Sequence, residues 1–461
     1  MTSILSGLDT VQQALAAQQF AMSITQRNVA NANDPSYTRQ QAVFTPVGTE
    51  TDNGVSGVHI QAGRNRFLDQ SICKDLQSLG EHSVAYDALQ QIDSILGGND
   101  GASLQQALSN FFNSFSSLSS APEDMVLRQK VLSMANSLTG EFQRIYNAIQ
   151  QVQISEDRTV TYTVNDINAI TQKIADLNTK IPVAQQSHSE SEYTLRDNRQ
   201  QLLEQLSGLM DIAYYETESG AVTVTNRDGA ALVIDDKSHP LELTRLSGEI
   251  YQSVLLDGSD ITSSLQSGQL GSLINVRDNV IAGYLSTLDD MAATVIDRVN
   301  EQHAGGDDLD GNAGLDFFTP FTEIIAGSNF GAAMNMSVAL TDPRMIAAAG
   351  TGSGEGDNAN AKALAGIADE ELFSSSSETI FEHYANLIYR VGSDEKTAEE
   401  AKTTQNDLLQ QLKNQRDTSF GVNMDEEAVN LIKYQKAYQA SSRYANVLNT
   451  LSDEVLQILG A

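Results

Sequence analysis

The residues that could do chemistry are few, and their spacing does not suit it. Asp308, Asp310 and Asn312 set oxygen atoms at alternate positions, as the opening of a calcium loop does. The sixth position, however, is Ala313 where such a loop needs Gly, and no Glu closes the twelfth. A solvated, turn-rich loop without a metal is the expectation. The six histidines, at 59, 82, 188, 239, 303 and 383, are scattered and make no paired-ligand spacing, which leaves them surface or packing roles. Cys73 is the single cysteine, so neither an intrachain disulfide nor a cysteine-rich zinc site can form. GTGSGEG, Gly350 to Gly356, has the glycines of a phosphate loop but no strand before it, and reads as a linker. Paired carboxylates occur everywhere in a chain with 60 Asp plus Glu against 28 Lys plus Arg, so they nominate no hydrolytic site. No enzyme and no cofactor is expected.

The same acidity, a formal net charge of -32, repels nucleic acid phosphates and anionic lipid headgroups. At 461 residues the chain exceeds a single compact core, so several modules are expected. The first thirty residues carry no basic start followed by an apolar core. No stretch approaches the roughly 18 apolar residues of a membrane span. Neither a Sec-type signal nor a span is expected.

The elements to be positioned are clearest at the two ends. Apolar residues recur at Ile4, Leu8, Val11, Leu15, Met22 and Val29, with Gln18 and Thr25 at the remaining seam positions, and only Asp9 and Arg27 are charged among residues 1 to 33. Leu431, Tyr434, Tyr438, Ser441, Ala445, Leu448, Val455 and Leu459 repeat the three- and four-residue steps at the other end. Both are heptad stripes that seek helical partners. A terminal segment poor in charge on every face points to burial among neighbouring copies rather than within one molecule.

Between the ends, Leu127, Val131, Met134, Leu138, Phe142, Ile145 and Ile149 mark a long helix entered at Pro122, with Glu123 and Asp124 in its first turn. Further helices are expected over 68 to 96, 103 to 118, 160 to 182 and 191 to 210. Alternation at Val222, Val224, Leu232 and Ile234 about an Asp228-Gly229 turn predicts a β-rich module over 212–266. Helical spacing returns over 269 to 302 and from 361. The expected fold is mainly α: an elongated helical rod with the terminal heptad helices paired as a coiled coil, and a small inserted β-rich module. Its parts are terminal segments 1–33 and 421–461, a helical rod domain 34–211, 267–302 and 361–420, the solvent-facing β-rich module, and a loop-rich connection 303–360. A chain that runs out along a rod and returns brings its ends together, which is the reason for pairing the two heptads.

Asn28 to Gln40, NVANANDPSYTRQ, follows the first heptad helix with residues that stop helices and form turns. Through Asn28, Asn31, Asn33, Pro35, Tyr37 and Arg39 it resembles the N-terminal signature of flagellar rod, hook and hook-associated axial proteins. Asp34 and Ser36 stand where that family has Thr and Gly. Gly421 to Leu451, GVNMDEEAVNLIKYQKAYQASSRYANVLNTL, resembles the C-terminal signature of the hook-associated protein 1 family. Ser267 to Ala292, Gly306 to Phe318 and Gly356 to Ile367 extend that likeness.

The resemblance implies a structural adaptor at the junction of hook and filament, lying outside the cell after a transient cytoplasmic stage and exported by the flagellar type III apparatus. It implies hook protein, hook-associated protein 3 and further copies of the chain as partners. The seam residues of both ends would be the assembly interface. It also implies an export chaperone on the C-terminal helix, placed here at Leu431, Tyr434, Tyr438, Leu448 and Val455. Another axial protein (hook, rod or flagellin-like) and a flagellum-associated peptidoglycan hydrolase are the alternatives.

Overall fold

The computed structural model describes residues 2–34, 36–46, 55–97, 103–187, 191–248, 250–322, 325, 328–373 and 377–459. Helix α1 (Thr2–Ala30) leads into an antiparallel hairpin of β1 (Gln40–Pro46) and β2 (Val55–Ala62), followed by α2 (Arg66–Gly97), α3 (Leu104–Ser120), α4 (Met125–Gln186) and α5 (Ser191–Leu209). β3 (Ile212–Glu216), β4 (Val222–Asn226), β5 (Ala231–Ile234) and β6 (Lys237–Ser238) form a four-stranded antiparallel sheet in chain order. A three-stranded sheet of β7 (Leu241–Thr244), β8 (Ser253–Leu256) and β9 (Ser259–Asp260) follows. Then come α6 (Gly268–Asn275), one π-helical turn (Val276–Val280), α7 (Ile281–Ala304), β10 (Gly306–Asp307), α8 (Ala332–Asn335) and β11 (Ala349–Gly350). Helices α9 (Ala359–Gly366), α10 (Ile380–Phe420) and α11 (Met424–Leu459) complete the chain.

The chain is mainly helical with a small strand-rich insertion, as its periodicity predicts, and differs from the expectation at four places. Residues 40–62 hold a β-hairpin inside the segment 34–211 assigned to the helical rod domain, where no strand is expected. Its register sets Phe44 opposite Val58 and Ala42 opposite Ile60, a strand pairing that helical-period reading misses. The helices expected over 127 to 149 and 160 to 182 are one element of 62 residues, and Pro182 sits inside it near the end. Asp124, expected in the first turn, instead caps the helix: its carboxylate accepts the N–H of Val126 at 2.7 Å and of Leu127 at 3.4 Å. The strands over 212–266 make two sheets rather than one module.

Two compact units are built from interleaved segments: Met1–Ser78, Asp166–Leu241 and Gln405–Ala461 form one, Leu79–Asn165 and Glu242–Thr404 the other. In the first, a carboxamide helps fasten the four-stranded sheet to α4. Asn178 donates to the Val222 carbonyl at 2.7 Å and accepts the Val222 N–H at 2.9 Å, so a side chain pairs with a strand as a neighbouring strand would. Asn168 does the same for Leu241, at 2.9 and 2.7 Å.

The second unit is centred on an aromatic cluster in which Phe111 meets Phe115, Phe317 and Phe318 with ring centroids 5.3, 5.7 and 5.6 Å apart. Asn300 pairs both backbone groups of Phe318, at 2.9 and 2.8 Å, and holds the 310s loop on this core. His303 is fully buried beside it. Its Nδ1 donates to the Leu315 carbonyl at 2.6 Å and its Nε2 accepts the Ala347 N–H at 2.8 Å, while burial pushes its pKa down to about 4. It is a packing histidine. The loop with Asp308 and Asp310 is satisfied internally: Asp308 accepts the N–H groups of Asp310 and Asn312, both at 2.8 Å, and Asp310 pairs with Arg344. No group of three side chains suited to a metal occurs among the described residues.

One buried carboxyl works against the unit's stability. Glu156 on α4 is 9% exposed, and burial, with the charge of Asp87 adding to it, raises its pKa to about 7. An acid whose folded pKa lies above its unfolded value of 4.5 holds its proton longer in the folded state, so stability falls as pH rises from 4.5 to 7. Discounted for partial solvent screening, that cost is on the order of 1 to 2 kcal/mol at pH 8. Glu156→Gln removes it. Thermal unfolding across pH is expected to show the variant more stable than the parent at pH 8, with the gap closing towards pH 4.5.

Candidate assembly surface

Helix α1 contains no proline or interior charge run, and Arg27 in its last turn suits the negative end of its dipole. Helix α11 starts at an Asn423 cap, whose side-chain oxygen accepts the N–H of Asp425 at 3.0 Å, and carries Asp425, Glu426 and Glu427 in its first turn. The two helices pack against each other. Gly7 lies where a Cβ would meet Leu448 at 3.3 Å, and Gln19 donates to the Tyr438 hydroxyl at 3.3 Å, so they run antiparallel.

On α11, Leu448 is buried and Leu431, Tyr434, Tyr438, Ser441, Ala445 and Val455 are half-buried, so the heptad positions share one face; the Leu459 side chain lies outside the described residues. Phe44 of β1 meets Tyr434 with ring centroids 6.0 Å apart. On α1, Val11 is buried and Leu8, Leu15 and Met22 are half-buried, while the side chain of Ile4 lies outside the described residues. Val29 is 38% exposed and drops out of the seam. The seam position Thr25 is buried, and Ala17, Ala21, Ile24 and Asn28 are buried beside it. Helix α1 has two neighbours, α11 and the β1–β2 hairpin, and therefore buries a wider, rotated face than a two-helix seam needs. This corrects the expectation that its burial comes from other copies: much of it is met within the chain.

The turn after α1 is tied down residue by residue. Asn28 is 1% exposed, and its carboxamide donates to the Gln40 carbonyl at 2.8 Å and accepts both the Gln40 N–H at 3.1 Å and the Tyr37 hydroxyl at 2.8 Å. Burial raises the Tyr37 pKa to about 12, which keeps that hydroxyl a donor. Asn31 donates to the Arg27 carbonyl at 2.9 Å, bonding back onto the end of the helix; Asn33 is exposed. Pro35 lies outside the described residues. Asp34 and Ser36, the two departures from the family signature, bind each other. The Asp34 carboxylate accepts the Ser36 hydroxyl at 2.7 Å and the Ser36 N–H at 2.9 Å, and these bonds hold its pKa below the usual carboxylate range. The Tyr37 N–H donates to the Asp34 carbonyl at 3.1 Å and closes the turn.

Arg39 links this turn to the other end of the chain. Its Nε donates to Glu427 at 2.7 Å and its Nη1 meets Glu426 at 2.7 Å. Glu427 is 2% exposed, so its charge depends on this partner. Thr38 donates its hydroxyl to Asp197 at 2.7 Å, and Arg64 pairs with the same carboxylate. Sequence reading missed Thr38, Arg64, Asp197 and Glu427 as members of this network; the acidic first turn of α11 was the only signal for any of them.

On another side of α11, Val429, Ile432, Tyr444, Val447 and Leu451 are 64, 57, 55, 54 and 44% exposed. At 3.6 residues per turn they fall within roughly a third of the helix circumference. Exposed Lys433, Lys436 and Arg443 share that sector, so beside the seam turned to α1 the helix carries two solvent-facing apolar patches, Val429 with Ile432 and Tyr444 with Val447 and Leu451.

Comparison with known proteins accounts for this arrangement. Residues 89–318 match the model described as the flagellar hook-associated protein FlgK helical domain, and residues 418–458 that of the flagellar basal body rod FlgEFG protein C-terminal. Flagellar hook-associated protein 1 of Bacillus subtilis (strain 168) is 29% identical over 510 aligned residues, covering 100% of this chain and 99% of the relative. The protein of the same name from Salmonella typhimurium is 23% identical over 98% of this chain and 99% of its own length. The structure of the flagellar hook junction protein FlgK from Burkholderia pseudomallei superposes with a TM-score of 0.68, at 16% identity, over 76% of this chain and 99% of that one. The chain belongs with the flagellar axial proteins and, among them, to the hook-associated protein 1 family. It is a structural flagellar protein and not an enzyme. Among the described residues, no helix is long and apolar enough to cross a membrane.

Replacing Asn28 with Ala strands the N–H and carbonyl of Gln40 and the hydroxyl of Tyr37. The expected cost is about 2 to 4 kcal/mol, concentrated at the turn. Hydrogen exchange should show lost protection at the Gln40 amide and along β1. Unchanged protection there would mean that the hairpin is held by other contacts.

Proposed function

We propose that the chain is the structural adaptor joining hook to filament, assembled as a ring of copies between hook protein and hook-associated protein 3. The observation that supports this most directly is the exposed face of α11, with apolar patches at Val429 and Ile432 and at Tyr444, Val447 and Leu451. Solvent-facing apolar surface of this kind marks an interaction site. It is supplied by the helix whose other face already fixes both chain ends together. In this reading α1 and α11 form one assembly segment, the exposed face from Val429 to Leu451 meets neighbouring axial subunits through its two apolar patches, and the motif from Asn28 to Arg39 sets the pose of the segment. The name of the Burkholderia pseudomallei relative, a hook junction protein, accords with this place.

Export by the flagellar type III route before assembly, and an extracellular final location, are part of the same proposal. The α1–α11 pair is built from contacts between residues some 400 positions apart in sequence, such as Gln19 with Tyr438. It cannot form until both ends are present, and a single helix is only marginally stable in water. An export chaperone on Leu431, Tyr434, Tyr438, Leu448 and Val455 would occupy the face that α1 covers in the folded chain, so chaperone and α1 compete for α11. Deleting residues 421–461 is expected to abolish chaperone binding in a pull-down; retained tight binding would move the chaperone site elsewhere.

The role is tested by deleting the gene in its host, imaging the cell surface by electron microscopy and assaying flagellin in the medium. Hooks without filaments, with flagellin lost to the medium, are expected. Cells without hooks would reassign the protein to the rod or hook, and normal filaments would sink the proposal. Restoring the gene as the double variant Ile432→Glu, Val447→Glu separates stability from assembly: both side chains are exposed, so parental helicity with no rescue of filaments is the expected result.

A further inference from the structure

A cavity of about 560 Å³ opens in the second unit, lined by α4, α7, the chain leading into β8 and the π-helical turn. Its size is that of a pocket for a small molecule or a single inserted side chain, and π-helical turns concentrate at functional sites. The charged donors around it, those of Arg277, are engaged. Arg277 gives Nε and Nη2 to Asp278 at 2.7 and 2.8 Å and Nη1 to Asp157 at 2.6 Å, and stacks 5.2 Å from the ring centre of Tyr251. The Gln153 amide donates to the Arg277 carbonyl at 2.6 Å.

Acceptors remain. Tyr146 is 1% exposed and lines the cavity, and its hydroxyl makes no hydrogen bond among the described residues; the Gln150 side chain is in the same position. Asp289, also 1% exposed, takes one N–H on each oxygen, from Gly331 and Ala333 at 2.9 Å, which leaves further lone pairs. Burial lifts its pKa to about 6 in spite of those two bonds, so its charge is poorly compensated. The ionisable groups of the lining are Arg277, Asp278 and Asp289, one positive against two negative.

An acceptor-rich, net negative cavity with aromatic walls disfavours anions and suits a cation that brings its own N–H groups. We propose that it binds a primary ammonium or guanidinium group, with Tyr146, Gln150 and Asp289 as acceptors and the Tyr251 and Phe330 rings flanking the carbon stem. The group would belong either to a basic side chain of a neighbouring protein or to a free polyamine.

The test is calorimetric titration of the full chain with agmatine, with the capped peptide Gly-Arg-Gly, and with butanol as the uncharged control. Saturable binding of agmatine or the peptide, and none of butanol, is expected. Preference for the peptide assigns the group to a protein side chain, and preference for agmatine to a free amine. Tyr146→Phe and Gln150→Leu, each checked for parental circular dichroism, should weaken binding roughly tenfold. The proposal fails if neither cation binds, if butanol binds equally well, or if both variants keep the parental affinity.

Discussion

The terminal segment of this protein depends on one buried carboxamide. The side chain of Asn28 takes the N–H and gives to the carbonyl of Gln40, twelve residues away, and receives the Tyr37 hydroxyl as well. A carboxamide presents a donor and an acceptor side by side, spaced to meet the N–H and carbonyl of one residue, and Asn does so with fewer rotamers to fix than Gln. The device recurs on α4 and α7, where Asn168, Asn178 and Asn300 each pair both backbone groups of a distant residue. In a chain dominated by helices, whose backbones are satisfied internally, such side chains dock the loops and sheets that helices cannot pair with.

Once the turn is fixed, its charges decide what it meets. Arg39 emerges from the turn facing Glu426 and Glu427, and Thr38 faces Asp197. A chain of net charge -32 has few cations, so where they are placed matters. Arg39 neutralises a carboxylate that is almost fully buried, and removing such a partner costs far more than the pair contributes in solvent. The antiparallel pairing of α1 with α11 therefore rests on apolar burial along the seam and on this one charged clamp at its end.

The exposed apolar patches of α11 follow from the same geometry. A helix with one apolar face is satisfied by one partner, and α11 has more apolar surface than α1 and the hairpin cover. Helix α1 is the opposite case: with two neighbours in its own chain, it buries more than its heptads required. The two ends of the chain look alike in sequence and differ in what they leave for others.

The sequence by itself determined the helical class, most helix positions, the heptad face of α11 and the family, because those rest on local periodicity and on short strings such as Asn28 to Gln40. It also carried the residues of the turn, though not their partners. Only the tertiary structure decided that β1 and β2 pair, that Val29 leaves the seam while Ile24 and Asn28 are buried beside it, and that Asp197 and Glu427 complete the motif. The physical reason is that each of these is a choice of partner, across a hairpin for β1 and β2 and across long stretches of sequence for the rest. A period of 3.5 or 3.6 residues marks a face as apolar, but which neighbour covers it, and how far it turns, is set by elements that lie far away in sequence.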